Sequence, residues 1–370
     1  MVKSMEYHVE ADWLLLRTCN FRCSYCFFSA TCLGGKIRRY GTPIQWEKGF
    51  RATVKTWLLH ITGGEPSVYP GFVELCDQLT QNHYLSINSN LSHDCIKAFV
   101  QRISPERIHF INASIHLEER QKRKSLNFFI ERVHELQDAK FNVFLSLIVT
   151  PFVVSNLPKV FEQLETEGLF AIPKILRGTY EGKDYPKSYS IEQRRLICEY
   201  LMKARQKYET VLIGMSEPPT IDIFSDFLFL NGIKDYRGRL CSAGYRFVKI
   251  TPNGTVVRCG SSEVFGNILF KNVRLLDAPK LCDTWYCPYF CEKYSVQGEK
   301  HYGYPSSNNT KFKLTRSSYS HLRGRMLELY YLIQTDGCAS IVKMSASKLK
   351  ERVGNIANSG LKKFIMSFIS

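Results

Sequence analysis

The chain has 370 residues, 13 cysteines and a formal net charge of +16. Its length allows two or three domains or one elaborated barrel, and the absence of an apolar run of about 18 residues predicts that nothing spans a membrane. The odd cysteine count and the polar first ten residues argue against a secreted disulfide framework. We therefore expect a cytoplasmic protein whose clustered thiols bind metal.

The first half of the chain alternates apolar runs with amphipathic segments. Strands are predicted at 13–16, 57–61, 84–87, 108–114, 142–149 and 171–176. Apolar residues at i, i+3, i+4 and i+7 predict helices at 72–79, 96–103, 126–136 and 160–164, and a further helix is expected at 192–207. This alternation predicts an α/β fold with a parallel sheet, arranged as a partial (β/α)6 TIM-like barrel.

Three thiols follow the first predicted strand within eight residues. Cys19, Cys23 and Cys26 have C-x₃-C-x₂-C spacing, and thiolates gathered on one loop are ligands for a soft metal centre. Three cysteines do not complete a four-coordinate zinc site or all four corners of an iron–sulfur cubane. The residues alone predict a three-cysteine metal site, with a disulfide or a zinc site as the alternatives.

This loop resembles the signature of the radical S-adenosylmethionine (radical SAM) superfamily, including Tyr25 at the aromatic position before the last cysteine. The resemblance implies a [4Fe-4S] cluster whose unligated iron is chelated by SAM. It also implies reductive cleavage of SAM to a 5′-deoxyadenosyl radical, with electrons from an external reductant such as flavodoxin or ferredoxin.

Further polar residues follow the other strands, where the carboxyl ends of a parallel sheet collect chemistry. The family's motif for the amino end of SAM is matched by Thr62 and Gly63, Gly64, Glu65 and Pro66. The resemblance extends loosely to Asn88, in a segment where relatives carry Thr-Asn-Gly, and to Ser114 and His116 after the fourth strand. His116 is equally interpreted as a surface histidine. Lys174 and Arg177 are candidates for the SAM carboxylate or for a structural ion pair.

A second cysteine group begins at Cys241. The Asn253-Gly254 pair predicts a tight hairpin over 250–257 that brings Cys241 and Cys259 together at its open end. Cys282, Cys287 and Cys291 follow in an aromatic-rich segment. The group resembles the auxiliary-cluster region of SPASM/twitch radical SAM enzymes, which implies one auxiliary [4Fe-4S] cluster of the twitch type. Spacing does not assign which two of the last three cysteines bind it, and a structural zinc knuckle is the alternative.

The remaining features receive simpler interpretations. Cys32 is either an inert loop thiol or a hydrogen donor in the active site, Cys76 is expected in the core, and Cys338 is a possible outlying ligand. Residues 292–370 carry 13 Lys/Arg against 5 Asp/Glu. We interpret 296–370 as a basic linker and a mostly helical tail, whose end docks on the protein or touches a membrane surface.

The predicted domains are a radical SAM barrel at 1–185, a helical bridge at 186–240 and an auxiliary-cluster domain at 241–295. The resemblance implies an enzyme that abstracts a hydrogen atom and oxidises or epimerises a ribosomally made peptide. A dehydrogenase or epimerase of a sugar or aminocyclitol is the alternative, and an iron–sulfur electron carrier without SAM chemistry is an alternative of another class. No RNA-binding signature with interleaved aromatic residues is present, so nucleic acid is not the expected partner.

Overall fold

The computed structural model describes residues 5–28, 33, 36–37, 40–215, 230, 238, 240–259 and 263–282. Six parallel strands lie side by side in one sheet in the order of the chain, which confirms the predicted α/β fold. They are β1 (Val9–Leu16), β2 (Trp57–Gly63), β3 (Tyr84–Ser89), β4 (Ile108–Ser114), β5 (Val143–Val149) and β6 (Ala171–Ile175).

Helices connect these strands. They are α1 (Pro43–Arg51), α2 (Phe72–Thr80), α3 (Cys95–Arg102), α4 (Leu117–Arg123), α5 (Leu126–Asp138), α6 (Pro151–Ser155) and α7 (Leu157–Thr166). The sequence patterns identify α2, α3, α5 and α7 but not α1, α4 or α6. The start of α1 is fixed by a capping box, in which Thr42 and Gln45 satisfy each other's backbone N–H groups, and by Pro43 in the first turn.

The two faces of the sheet differ in polarity because successive strand residues point to opposite sides. One face packs against the helices, and Trp13 of β1 contacts Trp46 and Phe50 of α1 at ring distances of 4.8 and 5.2 Å. The other face carries Glu10 and His60, both nearly fully buried. Glu10 Oε1 lies 2.6 Å from His60 Nε2. The sheet therefore has an apolar outer face and a polar inner face.

After β6 the chain forms a small hairpin, β7 (Gly178–Tyr180) and β8 (Lys183–Tyr185), and then α8 (Ile191–Lys207) and α9 (Glu209–Gly214). Helix α8 is the helix predicted at 192–207, and it packs against β6. Tyr208, between α8 and α9, donates its hydroxyl to the Phe170 carbonyl and accepts from the Leu145 amide. These contacts hold the segment after the barrel against β5 and β6.

The predicted hairpin after Cys241 is present as β10 (Phe247–Ile250) and β11 (Thr255–Val257), with Gly254 at φ +86° in the turn. β10 pairs in parallel with β1, so the hairpin and β12 (Val264–Asn267) extend the main sheet to nine strands. β9 (Leu240–Cys241) pairs separately with β13 (Lys280–Leu281). The sequence did not predict that this hairpin would join the barrel sheet.

The predicted domain boundaries remain predictions. Cys32, Cys287, Cys291, Cys338 and the basic tail at 296–370 lie outside the described residues. Within the part of the chain that the structure describes, no helix is long and apolar enough to cross a membrane.

Candidate active site

The loop of Cys19, Cys23 and Cys26 lies at the carboxyl end of β1, as predicted. Cys19 is buried, and the other two thiols are half-buried. The loop is closed locally, because the Phe21 amide donates to Cys19 Sγ (3.4 Å) and the Cys26 amide donates to the Cys23 carbonyl (3.1 Å). The backbone therefore holds the three thiols close together at one end of the strand.

The electrostatics of this loop suit a cationic group. Burial raises the pKa of the Cys19 thiol to about 11 and that of Cys23 to about 12, and negative charge on neighbouring cysteines adds to both shifts. Three thiolates would therefore repel one another unless positive charge lay between them. Among the described residues, no three Cys, His, Asp or Glu side chains converge closely enough to bind one metal ion. Thiols that bind different irons of one cluster do not need to converge on a point, so the loop fits a cubane.

The turn after β2 is fastened to the start of the cysteine loop. The Gly64 amide donates to the Leu16 carbonyl (3.0 Å), and the Glu65 amide donates to the Thr18 carbonyl (2.9 Å). A Cβ atom on Gly64 would collide with the Thr18 carbonyl, and one on Gly63 would collide with the Leu16 carbonyl. These two glycines are therefore required for the close approach of β2 to the end of β1.

The Glu65 carboxylate has a positioning role. It is 1% exposed and caps the short 3₁₀ turn Pro66–Val68 by accepting from the Ser67 amide (3.0 Å). It also accepts from Ser89 Oγ (2.7 Å) and the Asn90 amide (2.6 Å) after β3. Glu65 thus ties the ends of β2 and β3 together, while its contact with SAM stays a prediction, as does that of Pro66.

The other predicted SAM contacts lie at the same edge of the sheet. Asn88 is near the end of β3, and its Oδ1 is buried without a hydrogen-bond partner among the described residues. Ser114 ends β4, and its Oγ lies 3.3 Å from Ser146 Oγ of β5. Lys174 is in β6, and Arg177 is an exposed residue that follows this strand. These residues lie at or near the carboxyl ends of their strands, and their contacts with SAM stay predictions.

His116 lies directly beside the cysteine loop. Its Nδ1 is 2.9 Å from the Tyr25 hydroxyl and 3.5 Å from Cys23 Sγ. Burial, helped by the charge of Arg120, lowers the pKa of the His116 imidazole to about 4, and burial raises the pKa of Tyr25. His116 is thus partly buried with partners in the cysteine loop, and the choice between a surface histidine and a catalytic one stays a prediction.

Helix α4 holds the non-cysteine residues of the loop, and sequence patterns missed it. Residues 117–123 have no apolar periodicity, but their acidic start and basic end suit the helix dipole and are a usable signal. The ring of Phe21 is flanked by the guanidinium groups of Arg120 and Arg123, at 5.3 and 4.8 Å. The other contacts to the loop join Glu118 Oε2 to Ser24 Oγ (3.3 Å), Glu119 Oε2 to the Arg22 amide (3.3 Å) and Arg123 to the Asn20 carbonyl (3.0 Å).

The second cysteine group is also brought together. Burial raises the pKa of the Cys241 thiol to about 11, and the nearby Cys282 and Cys259 add to the shift. Cys241 ends β9, which pairs with β13, and Cys282 is the residue directly after β13. Arg258 is buried and donates to the carbonyls of Ala243, Lys280 and Leu281, which fixes the three chain segments. The structure thus groups three of the five predicted ligands.

Residues 13–154 match the family model described as the radical SAM superfamily. No curated protein matches the chain. The solved structures similar to this chain include anSMEcpe with bound AdoMet, at 15% identity and TM-score 0.48. The alignment covers 70% of this chain and 78% of that one. SuiB of Streptococcus suis bound to S-adenosylmethionine has 16% identity and TM-score 0.47, covering 72% and 64%. BtrN in complex with AdoMet and 2-DOIA has 11% identity and TM-score 0.35, covering 73% and 81%.

The matched region spans β1 to β5 and contains the cysteine loop, the glycine turn and α4. Radical SAM domains use S-adenosylmethionine and a [4Fe-4S] cluster as cofactors, and the loop fits such a cluster. Over residues 13–154 the chain therefore matches a domain of the radical SAM superfamily.

Proposed function

We propose that this protein cleaves S-adenosylmethionine reductively and abstracts a hydrogen atom from its substrate. The observation that carries this proposal is the joining of the cysteine loop to the Gly63–Gly64 turn at the carboxyl edge of the sheet. This arrangement holds three thiols on one strand end and a backbone turn for the cofactor on the next. When bound, the cluster would supply the electron for cleavage.

The chain's own residues would bind, orient and enclose the reactants. Cys19, Cys23 and Cys26 would hold the cluster and leave one iron for SAM. Gly63 and Gly64 allow backbone to approach the cofactor, and Glu65 holds the adjacent ends of β2 and β3 in place. A hydrogen-abstracting enzyme also needs to shield its radical from water, and we expect the mouth of the barrel to do so.

We further propose that Cys241, Cys259 and Cys282 hold an auxiliary [4Fe-4S] cluster, with the fourth ligand from Cys287 or Cys291. The grouping of the first three thiols supports this proposal. Such a cluster is able to accept an electron from a product radical, so oxidation of a ribosomally made peptide is the favoured reaction and epimerisation is next. The resemblance of the sequence to SPASM/twitch enzymes is the basis for the peptide substrate.

The test is anaerobic reconstitution followed by reduction in the presence of S-adenosylmethionine, with chromatographic measurement of 5′-deoxyadenosine. Wild-type protein is expected to form this product, and Cys23→Ala is expected to abolish it because a cluster ligand is lost. Cys198→Ala is the matched control, since this thiol lies on α8 away from the loop. No product from well-folded, iron-loaded wild type would contradict the proposal and favour an electron carrier.

A further inference from the structure

His116 follows β4, and its side chain contacts Cys23, one of the three proposed cluster ligands. Its Nδ1 lies 2.9 Å from the Tyr25 hydroxyl and 3.5 Å from Cys23 Sγ. The Tyr25 hydroxyl and the Cys23 sulfur thus contact the same atom, His116 Nδ1. The imidazole, the phenol and the sulfur therefore form one compact hydrogen-bonded group.

The backbone fixes the His116 ring in this place. The residue has φ 48° and ψ 56°, a left-handed conformation that histidine and asparagine adopt more readily than bulky residues. On one side the Ile115 amide donates to the Ser146 carbonyl (2.9 Å), and on the other the Arg120 amide donates to the His116 carbonyl (3.1 Å). Arg120 is fully buried and also donates from Nε to the Ile115 carbonyl (2.7 Å). The backbone at 115–116 is thus held by β5 on one side and α4 on the other.

The ring also packs against the loop. Tyr25 stacks on His116 with 6.1 Å between centroids, and Phe21 meets it edge-on at 5.8 Å. Helix α4 holds the same loop through Ser24 and Arg22, but those contacts do not involve a thiol. His116 and Tyr25 are therefore distinguished from the α4 contacts by their reach to a cysteine sulfur.

We propose that His116 and Tyr25 are positioning residues that keep a hydrogen-bond donor on Cys23 Sγ and so raise the reduction potential of the cluster held by this loop. In this arrangement the Nδ1–H tautomer of His116 donates to the phenol oxygen, and the phenol O–H donates to sulfur. Donors to cluster sulfurs stabilise the more negative, reduced state. A phenol that itself accepts a hydrogen bond is a stronger donor, which makes the two residues act in series.

The inference rests on the proposed function, because it requires a cluster on the Cys19–Cys26 loop. The test measures the reduction potential of this cluster rather than the rate of the reaction. The reconstituted full chain is titrated with reductant, and the electron paramagnetic resonance signal that changes on addition of S-adenosylmethionine is followed. The variants are Tyr25→Phe, which removes the donor, and His116→Asn, which suits the left-handed backbone. Each is expected to shift the reduction equilibrium against the reduced state by about tenfold, equivalent to about 59 mV for one electron.

Two matched variants control for the loss of a hydroxyl and of an imidazole. Tyr180→Phe removes a hydroxyl whose pKa is affected by Ser24 of the same loop and by no cysteine among the described residues. His134→Asn changes a histidine of α5. Both are expected to keep the wild-type potential. Because His116 and Tyr25 act in series, the double variant is expected to shift no further than the larger single shift.

Unchanged potentials in Tyr25→Phe and His116→Asn at full iron content would overturn the inference. So would a loss of iron with an unchanged potential of the remaining cluster, because that pattern indicates a role in folding alone. If His116→Asn does not fold, Tyr25→Phe decides the question. A wild-type protein without a SAM-responsive signal would overturn the proposed function and this inference together, whereas a normal wild-type signal isolates the inference.

Discussion

At the scale of single residues, His83 makes stability depend on pH. It is 1% exposed beside β2, accepts from the Trp57 amide, and has no partner for Nε2 among the described residues. Burial, helped by the charge of Arg107, lowers the pKa of the imidazole to about 4. An unfolded histidine titrates near pH 6.5, so between these values only the unfolded chain binds the proton.

Stability is therefore expected to fall as pH drops from about 6.5 towards 4. Between pH 6.5 and 5 the contribution of His83 is about 2 kcal/mol. His83→Phe, whose ring suits the neighbouring Phe50, should remove this part of the pH dependence in urea unfolding curves. Equal slopes for wild type and His83→Phe would show that His83 is protonated while folded.

Gly64 is the second residue-scale test because a Cβ at this position would collide with the Thr18 carbonyl. Gly64→Ala is expected to destabilise the protein by about 1–3 kcal/mol, since the backbone of two strand ends must move apart. Urea unfolding measures the change, and Gly214→Ala is the control because a Cβ there meets no atom within 4 Å. Equal stability of the two variants would mean that the turn after β2 adjusts without cost.

At the scale of secondary-structure elements, Glu10, His60 and Ser86 link β1, β2 and β3 across the inner face of the sheet. Glu10 Oε1 lies 2.6 Å from His60 Nε2, and His60 Nδ1 bonds to Ser86 Oγ. All three side chains are nearly fully buried, so the group is shielded from water. A buried polar group of this kind stabilises the fold only while every member has its partner.

His60→Ala is expected to cost about 3–5 kcal/mol in unfolding free energy, because the buried Glu10 carboxylate would lose the imidazole 2.6 Å from its Oε1. Glu199→Ala breaks an exposed pair with Lys203 on α8 and should cost less than about 0.5 kcal/mol. The two variants are compared by urea unfolding. Similar small effects would indicate that water reaches the inner face of the sheet.

At the scale of the whole molecule, β1 connects the two cysteine groups, because the first group follows β1 directly and the second flanks the hairpin that pairs with it. It pairs with β2, which carries the glycine turn, and with β10, which leads into the second group. We expect about eight irons in the reconstituted protein if both groups bind [4Fe-4S] clusters. Cys241→Ser should leave about four irons and an unchanged SAM-responsive signal.

Cys198→Ser, on α8, is the control for a thiol outside both groups and should retain the wild-type iron content. Metal analysis decides between the interpretations of the second group. Wild-type protein with about four irons and one zinc would support the structural zinc knuckle instead. Full iron content in Cys241→Ser would show that this thiol is not a ligand.

The sequence by itself determined the alternating fold and the positions of the thiols. The six parallel strands lie within a few residues of their predicted ranges because each contains a run of apolar residues. The helices between them were predicted where apolar residues recur with a period of 3.6. The Asn253-Gly254 hairpin is likewise local chemistry, since its turn requires a positive φ that glycine supplies. The Cys19–Cys26 loop is recognisable from the sequence because its three cysteines lie within eight residues of one another.

Only the tertiary structure decided which side chains support the site. The carboxylate of Glu65 turns inward to Ser89 and Asn90, and His116 reaches Tyr25 across 91 residues of sequence. Helix α4 and the pairing of β10 with β1 were missed for the same reason. Hydrogen bonds and strand pairing between distant segments depend on the packing of the whole chain, and no local pattern of residue types records them.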